Sequence, residues 1–144
     1  MILTDILKNK GERVVDISPG MTIREAAEVM VANKIGAVLI TDENKMPIGI
    51  FTERDNLRIT ADAAVDPATA VVDNHMTRNV IVGMPTDSVE EAMALMTEQR
   101  VRHLPIVSEG RLIGLVSIGD VVKAVATKYD REIQYLHSFI QKGY

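Results

Sequence analysis

The chain has 144 residues, of which 47% are hydrophobic and 25% charged, with a formal net charge of −4 and no cysteine. These values are typical of one compact globular module. They argue against a nucleic-acid-binding surface and exclude disulfides and thiolate chemistry. The first residues carry no signal-peptide pattern, and no apolar run approaches the roughly 20 residues of a membrane helix. We therefore expect a cytoplasmic protein that has no membrane contact.

The first part of the chain predicts a short helix, then a strand, a helix, two strands and another helix. The second helix begins with a capping box, because Thr22 and Glu25 are three positions apart. The predicted bounds are residues 2–8, Val14–Ile17, Ile23–Asn33, Ile35–Ile40, Ile48–Phe51 and Glu53 to about Ile59. Residues 61–73 are rich in Ala, Thr and Asp, which predicts a linker.

The second part predicts the same order of elements. Its bounds are strand Val80–Val82, helix Val89–Arg100, strands Leu104–Val107 and Leu112–Val116, and a helix after Ser117. The apolar face of this last helix continues to about Gln141, past the end of the repeated unit. This C-terminal tail packs either on its own module or on a partner chain, and the sequence leaves both possibilities open.

The two parts are copies of each other. A shift of 66 residues aligns Pro19 with Pro85, and the helices and strands that follow match in order. One residue is dropped in a turn, after which Gly49 aligns with Gly114. Self-similarity of this length indicates a duplicated supersecondary unit. We expect a pseudo-two-fold arrangement in which each half covers the apolar face of the other.

Each copy ends in the same short motif. A buried strand leads to a hydroxyl residue, Thr52 or Ser117, and an aspartate follows three positions later, Asp55 or Asp120. This spacing is typical of a helix N-cap, with Asp in place of the usual Glu. Taken alone, either copy could serve only to cap its helix. The presence of two copies in register favours a further role.

The chain resembles a tandem pair of CBS domains, also called a Bateman module, over roughly residues 8–127. The resemblance rests on the Gly-x-x-Thr/Ser-x-x-Asp ending of each repeat, the strand Val101–Val107 and the segment Asp73–Thr77. It implies an α+β fold of two β-α-β-β-α repeats with pseudo-two-fold symmetry and a C-terminal helical extension. The implied divisions are repeats at 8–60 and 74–127, a linker at 61–73 and an extension at 128–144, all within one compact module.

The resemblance also implies a nucleotide site in the cleft between the repeats. Asp55 and Asp120 would bind ribose hydroxyls, and Thr52 and Ser117 would bind ribose or phosphate. We expect the phosphate to be held by Arg54 in the first copy and by Arg102 with His103 in the second. The remaining candidates are the backbone of Val80 and Ile81 for the base, and Lys10 as a weaker phosphate ligand.

The predicted function is a non-catalytic sensor of AMP, ADP, ATP, NAD(H) or S-adenosylmethionine. No nucleophile–base set is visible, and three scattered histidines lack metal-ligand spacing. The resemblance implies a homodimer formed through helical faces, and we expect no required cofactor and a regulated protein partner. The main alternative is a ligand-independent association module, in which both motifs only cap helices. A third hypothesis is a non-catalytic subunit of a separately encoded enzyme or transporter.

Overall fold

The computed structural model describes residues 1–11 and 14–141. It has an α+β fold, which confirms the predicted fold class. The elements are α1 (Leu3–Lys10), β1 (Asp16–Ile17), α2 (Ile23–Asn33), β2 (Ala37–Thr41), β3 (Pro47–Thr52), α3 (Glu53–Ala61), α4 (Val89–Gln99), β4 (His103–Ser108), β5 (Arg111–Ser117) and α5 (Ile118–Gln141). A short 3₁₀ turn spans Val72–Asn74.

The first repeat is built on a three-stranded sheet. Strand β1 pairs parallel with β2, and β2 pairs antiparallel with β3. Helix α2 begins with the predicted capping box, in which the Glu25 N–H donates to Thr22 Oγ1 at 3.1 Å. Side chains on one face of the sheet and of α2, including Val38, Ile40 and Phe51, form a fully buried core.

The second repeat has only two strands, so the predicted strand Val80–Val82 is wrong. One residue in this region, Gly83, forms a single parallel bridge with Ile106 of β4. The Gly83 N–H donates to the Pro105 carbonyl at 2.8 Å, and the Val107 N–H donates to the Gly83 carbonyl at 2.9 Å. The next step of a parallel ladder needs an N–H from Pro105, which proline does not have. The pairing therefore stops after one residue.

Helix α1 comes first in the chain but packs on the second repeat. Leu3 is fully buried in the second hydrophobic core, and its N–H donates to the Asp87 carbonyl at 2.9 Å. At Gly114 of β5, the backbone passes so close to Leu7 of α1 that a Cβ would overlap its side chain.

The turn before the second repeat packs in the same way on the first. Val72 and Met76 belong to the first core, and Met76 covers Gly49 of β3. Each half thus receives the segment that precedes the other half, which gives the module its pseudo-two-fold organisation.

Helix α5 leaves the body of the protein after about Lys128. Lys128 Nζ donates to Glu90 Oε1 of α4 at 2.7 Å. Beyond it, the side chains of Tyr129, Leu136 and Ile140 are 52%, 59% and 71% exposed. The described part of the tail does not pack on its own module. No helix in the described ranges has the length and apolarity needed to cross a bilayer.

Candidate functional site

The first motif forms a closed set of hydrogen bonds at the start of α3. The N–H and Oγ1 of Thr52 donate to Asp55 Oδ2 at 2.9 and 3.0 Å, and the Asp55 N–H donates to Thr52 Oγ1 at 3.3 Å. The other carboxylate oxygen, Oδ1, accepts from the guanidinium of Arg58, one turn further along the helix. The carboxylate is only 4% exposed. The predicted cap is therefore present, and both oxygens of the Asp55 carboxylate accept hydrogen bonds.

A cleft of about 490 Å³ lies beside this motif. One wall comes from the first repeat and carries Thr52, Arg54 and Asp55, and the other comes from the second repeat and carries Arg102 and His103. All five were candidates from the sequence, and the fold brings them together. The cleft is completed by Gly36, Ile50, Glu53, Arg58, Thr77, Arg100 and Val101.

The grouping of these residues differs from the sequence interpretation. The sequence placed Arg102 and His103 with the second motif, but their side chains line the cavity that holds the first. His103 pairs with Ser117 in the β4–β5 ladder, and the Arg102 carbonyl accepts the Ile118 N–H at 2.9 Å. Their backbones therefore belong to the second repeat. The start of β4 lies where the two halves meet, which allows the side chains to reach the other motif.

Two more arginines of this cleft were missed from the sequence. Arg58 lies three residues after Asp55 on the same helix, a spacing that places both on one face and could have identified it. Arg100 ends α4 in the left-handed conformation, with φ of 56°. No local signal points Arg100 toward a motif some 45 residues earlier, so only the tertiary structure reveals it.

His103 lies between acidic and basic groups of both halves. Burial lowers the pKa of His103, and the positive charges of Lys10 and Arg102 act in the same direction. The carboxylates of Glu53 and Asp120 oppose these effects but do not reverse them. The lowered pKa favours the uncharged imidazole at neutral pH, which can both donate and accept a hydrogen bond in the cleft.

The second motif has a different partner. The Ser117 N–H donates to Asp120 Oδ2 at 2.9 Å, and Lys10 Nζ of α1 donates to the same oxygen at 2.7 Å. Lys10 also donates to the Leu115 carbonyl at 2.9 Å. Burial raises the pKa of Asp120, but the hydrogen bonds from Lys10 and Ser117 outweigh it and hold the pKa below its usual value. Lys10 was a phosphate candidate from the sequence. It instead forms an ion pair with the Asp120 carboxylate, which was predicted to bind ribose.

The two residues predicted to contact the base lie outside the lining of the cleft beside Asp55. Ile81 is partly buried against the second hydrophobic core, and Val80 lies in an irregular segment next to it. From the same segment, Thr77 reaches the cleft and pairs with Ile50 of β3. Among the described residues, neither Val80 nor Ile81 lines the cavity beside Asp55.

Comparison with known proteins agrees with this architecture. The sequence profile of the CBS domain matches the chain twice, at residues 4–58 and 71–127. The chain belongs to the CBS-domain family. Pairs of CBS domains are regulatory modules, and stand-alone CBS-domain proteins are generally non-catalytic.

Individual relatives extend this result. The chain is 35% identical over 150 residues to a mitochondrial CBS domain-containing protein of Arabidopsis thaliana, CBSX3, covering 99% of this chain and 73% of the relative. The CBS-domain protein ATU1752 of Agrobacterium tumefaciens superposes with a TM-score of 0.80 at 41% identity, covering 86% of this chain and 98% of that one. The CBS-domain pair of protein MJ0100, solved with 5′-methylthioadenosine and S-adenosyl-L-methionine, superposes with a TM-score of 0.78 over 89% of this chain and 98% of that one. At 24% identity this last likeness shows the fold alone.

Proposed function

We propose that this CBS pair is a non-catalytic sensor that binds an adenosine-containing nucleotide, such as AMP, ADP, ATP or NAD(H), in the cleft beside Asp55. The observation that carries the proposal is the composition of this cleft. A buried carboxylate, a hydroxyl and a helix N-terminus from one repeat face arginines and a neutral histidine from the other. No metal or other cofactor is needed for this role.

The chemistry of the cleft suits the parts of a nucleotide. A carboxylate such as that of Asp55 can accept hydrogen bonds from the 2′- and 3′-hydroxyls of a ribose. Arg58 bonds to one of its oxygens. A ribose that takes over this oxygen frees Arg58, which can then join Arg54 and Arg102 around a phosphate. The protein MJ0100, which has the same fold, holds two adenosine-containing ligands.

Binding would change the relation between the two repeats, because each supplies one wall of the cleft. A ligand that contacts both walls stabilises the closed arrangement over the open one. Exposed apolar side chains on the helices, among them Val31 at 79% and Leu57 at 70%, support a homodimer through these faces. A protein partner in the cytoplasm would then recognise the arrangement that the ligand selects. We also propose that the first repeat ends at residue 60 and that the second begins at residue 74, with a linker between them.

Isothermal titration of AMP, ADP, ATP, NAD and S-adenosylmethionine tests the proposal. Asp55→Asn removes the charge that receives the ribose, and a hydrogen bond to a charged group contributes about 1.5–3 kcal/mol. We therefore expect its affinity to fall by about tenfold or more, since 1.4 kcal/mol corresponds to tenfold. Asp120→Asn is the matched control, because its carboxylate lies outside this cavity, and we expect it to retain most of the affinity.

A second variant separates binding from folding. Arg102→Gln leaves the Thr52–Asp55 cap in place, so we expect it to fold normally. Its affinity for ATP should fall further than its affinity for adenosine, which has no phosphate. Equal losses for both ligands would contradict the role assigned to Arg102.

One observation favours the alternative of a ligand-independent association module. In both motifs the carboxylate already accepts capping hydrogen bonds, so capping alone explains why the same spacing occurs in both repeats. Under this alternative, none of the five ligands binds to a protein that is free of co-purified nucleotide. Asp55→Asn then changes stability only.

A further inference from the structure

Helix α5 carries a regular apolar seam along an exposed side. Its members follow one another at intervals of four, three, four, three and four residues: Val122, Ala126, Tyr129, Ile133, Leu136 and Ile140. All six are exposed, from 51% for Val122 to 71% for Ile140 among the large ones. The seam is about 27 Å long, at 1.5 Å for each helical residue.

This spacing is the heptad pattern of a coiled coil. It places Ile133 and Ile140 at a positions, and Tyr129 and Leu136 at d positions. A heptad seam buries its side chains against a helix with the same repeat, because each knob needs a hole formed by four residues of the facing helix. The described body of the chain presents no such helix to the tail, and the side chains remain exposed.

We propose that residues 122–140 pair with the same segment of a second copy of this chain, in a parallel and in-register two-stranded coiled coil. Ala126 takes the remaining a position and Val122 the remaining d position, so two of three a residues are β-branched and one of three d residues is leucine. β-Branched residues at a together with leucine at d favour two parallel strands. The pairing also matches polar groups across the seam. Glu132, at a g position, faces His137 of the second copy, at the following e position, where the imidazole can donate to the carboxylate.

The polar face of the tail disfavours a membrane as the occupant. It carries Lys123, Lys128 and Arg131 against Asp130 and Glu132, which is a nearly balanced charge. A helix that lies on an anionic membrane typically has a face rich in lysine and arginine. One of these cations, Lys128, is also bonded to α4.

This inference is independent of nucleotide binding, and it adds a defined contact to the proposed homodimer. The helical faces of the body, including Leu57, could meet in a dimer with or without the tail. A test must therefore report on the tail itself and not only on the molecular mass.

The absence of cysteine makes such a test direct, because a single introduced thiol has no competitor. In a parallel in-register pair, each d position faces its own counterpart. We expect Leu136→Cys to form a disulfide-linked dimer under mild oxidation at micromolar protein. Gln134→Cys, on the outer face of the same helix turn, is the matched control and should cross-link little.

A second variant measures the strength of the seam. Ile133→Asp places a charge at the centre of the seam, and we expect the dimer dissociation constant in sedimentation equilibrium to rise by tenfold or more. The thermal unfolding of the body should stay unchanged, since Ile133 is exposed in the single chain.

Three results would overturn the proposal. The wild-type protein could be monomeric at high micromolar concentration. It could be a dimer that Ile133→Asp does not weaken, which would leave only the helical faces of the body. Finally, Leu136→Cys could cross-link to Ala126→Cys and not to itself, as an antiparallel pair requires.

Discussion

The two aspartates of the duplicated motif should differ in what they contribute to stability. Both cap a helix, but the Asp55 side chain is 4% exposed and that of Asp120 is 25% exposed. Asp55 uses both oxygens, one for Thr52 and one for Arg58. For Asp120, both hydrogen bonds between described residues go to Oδ2. Replacement by asparagine is nearly isosteric, so the comparison isolates charge and hydrogen bonding.

An asparagine keeps one acceptor oxygen and replaces the other with an amide NH₂. At position 55 this NH₂ must face a donor, either Thr52 or Arg58, and a buried polar group left without a partner costs about 1–3 kcal/mol. Loss of a negative charge at a helix N-terminus adds about 0.3–1 kcal/mol. We expect Asp55→Asn to lower the free energy of unfolding by about 2–3 kcal/mol. Asp120→Asn can keep its oxygen toward Ser117 and turn its NH₂ away, so we expect a loss of about 1 kcal/mol or less.

Urea denaturation at pH 7, followed by far-UV circular dichroism, measures both losses. Thermal unfolding gives a second value, because 1 kcal/mol shifts the midpoint by about 2–4 °C in a domain of this size. We therefore expect Asp55→Asn to melt roughly 4–12 °C below wild type. A loss for Asp55→Asn that does not exceed the loss for Asp120→Asn would refute the reasoning, since burial would then have no effect on the cost.

Two further predictions concern α1. Leu3→Ala should lower the free energy of unfolding by about 2–5 kcal/mol, because the side chain is fully buried in the second core. Ile2→Ala, at a side chain that is 37% exposed, is the control and should cost much less in the same urea titration. Lys10→Gln should cost about 0.2–1 kcal/mol at pH 7, as expected for a partly exposed ion pair. Because Lys10 lowers the pKa of Asp120, this difference is fully present above the unfolded value of 3.8. It should disappear as the pH falls through the lower pKa of Asp120 in the folded protein, and a difference that persists at still lower pH would contradict the assignment.

The two repeats differ in the chemical surroundings of their motifs. Beside the first motif, a cleft of about 490 Å³ stays open, and its walls come from both repeats. Beside the second, the lysine of α1 lies on the equivalent carboxylate. A ligand at the second motif would have to displace this lysine or bind around it. Because the cavity beside Asp120 is also smaller, at about 210 Å³, we propose the first cleft as the principal site of the sensor.

Features that depend on neighbours in the chain were predictable from the sequence. The helix caps at Thr22 and Thr52 depend on groups three residues apart, and the structure confirms them. The duplication was visible because it preserves order and spacing. The α+β class and the family followed from the same local patterns.

Pairing between distant segments was less predictable. The segment Val80–Val82 has the composition of a strand. Its partner strand β4, however, contains Pro105, which has no N–H to donate to the next step of the ladder. The position of α1 on the second repeat has no local signal either, since it depends on where Leu7 meets Gly114.

The sequence by itself thus determined the repeated unit, its helices and the two hydroxyl–acid motifs. The tertiary structure decided which basic residues face each motif, and it left the tail of α5 uncovered by its own chain. The physical reason is the range of the interactions. Caps and helices are set by groups within four residues of one another, whereas the cleft exists only because the two repeats pack together. Arg102 and His103 line the same cavity as Asp55 only because of this packing.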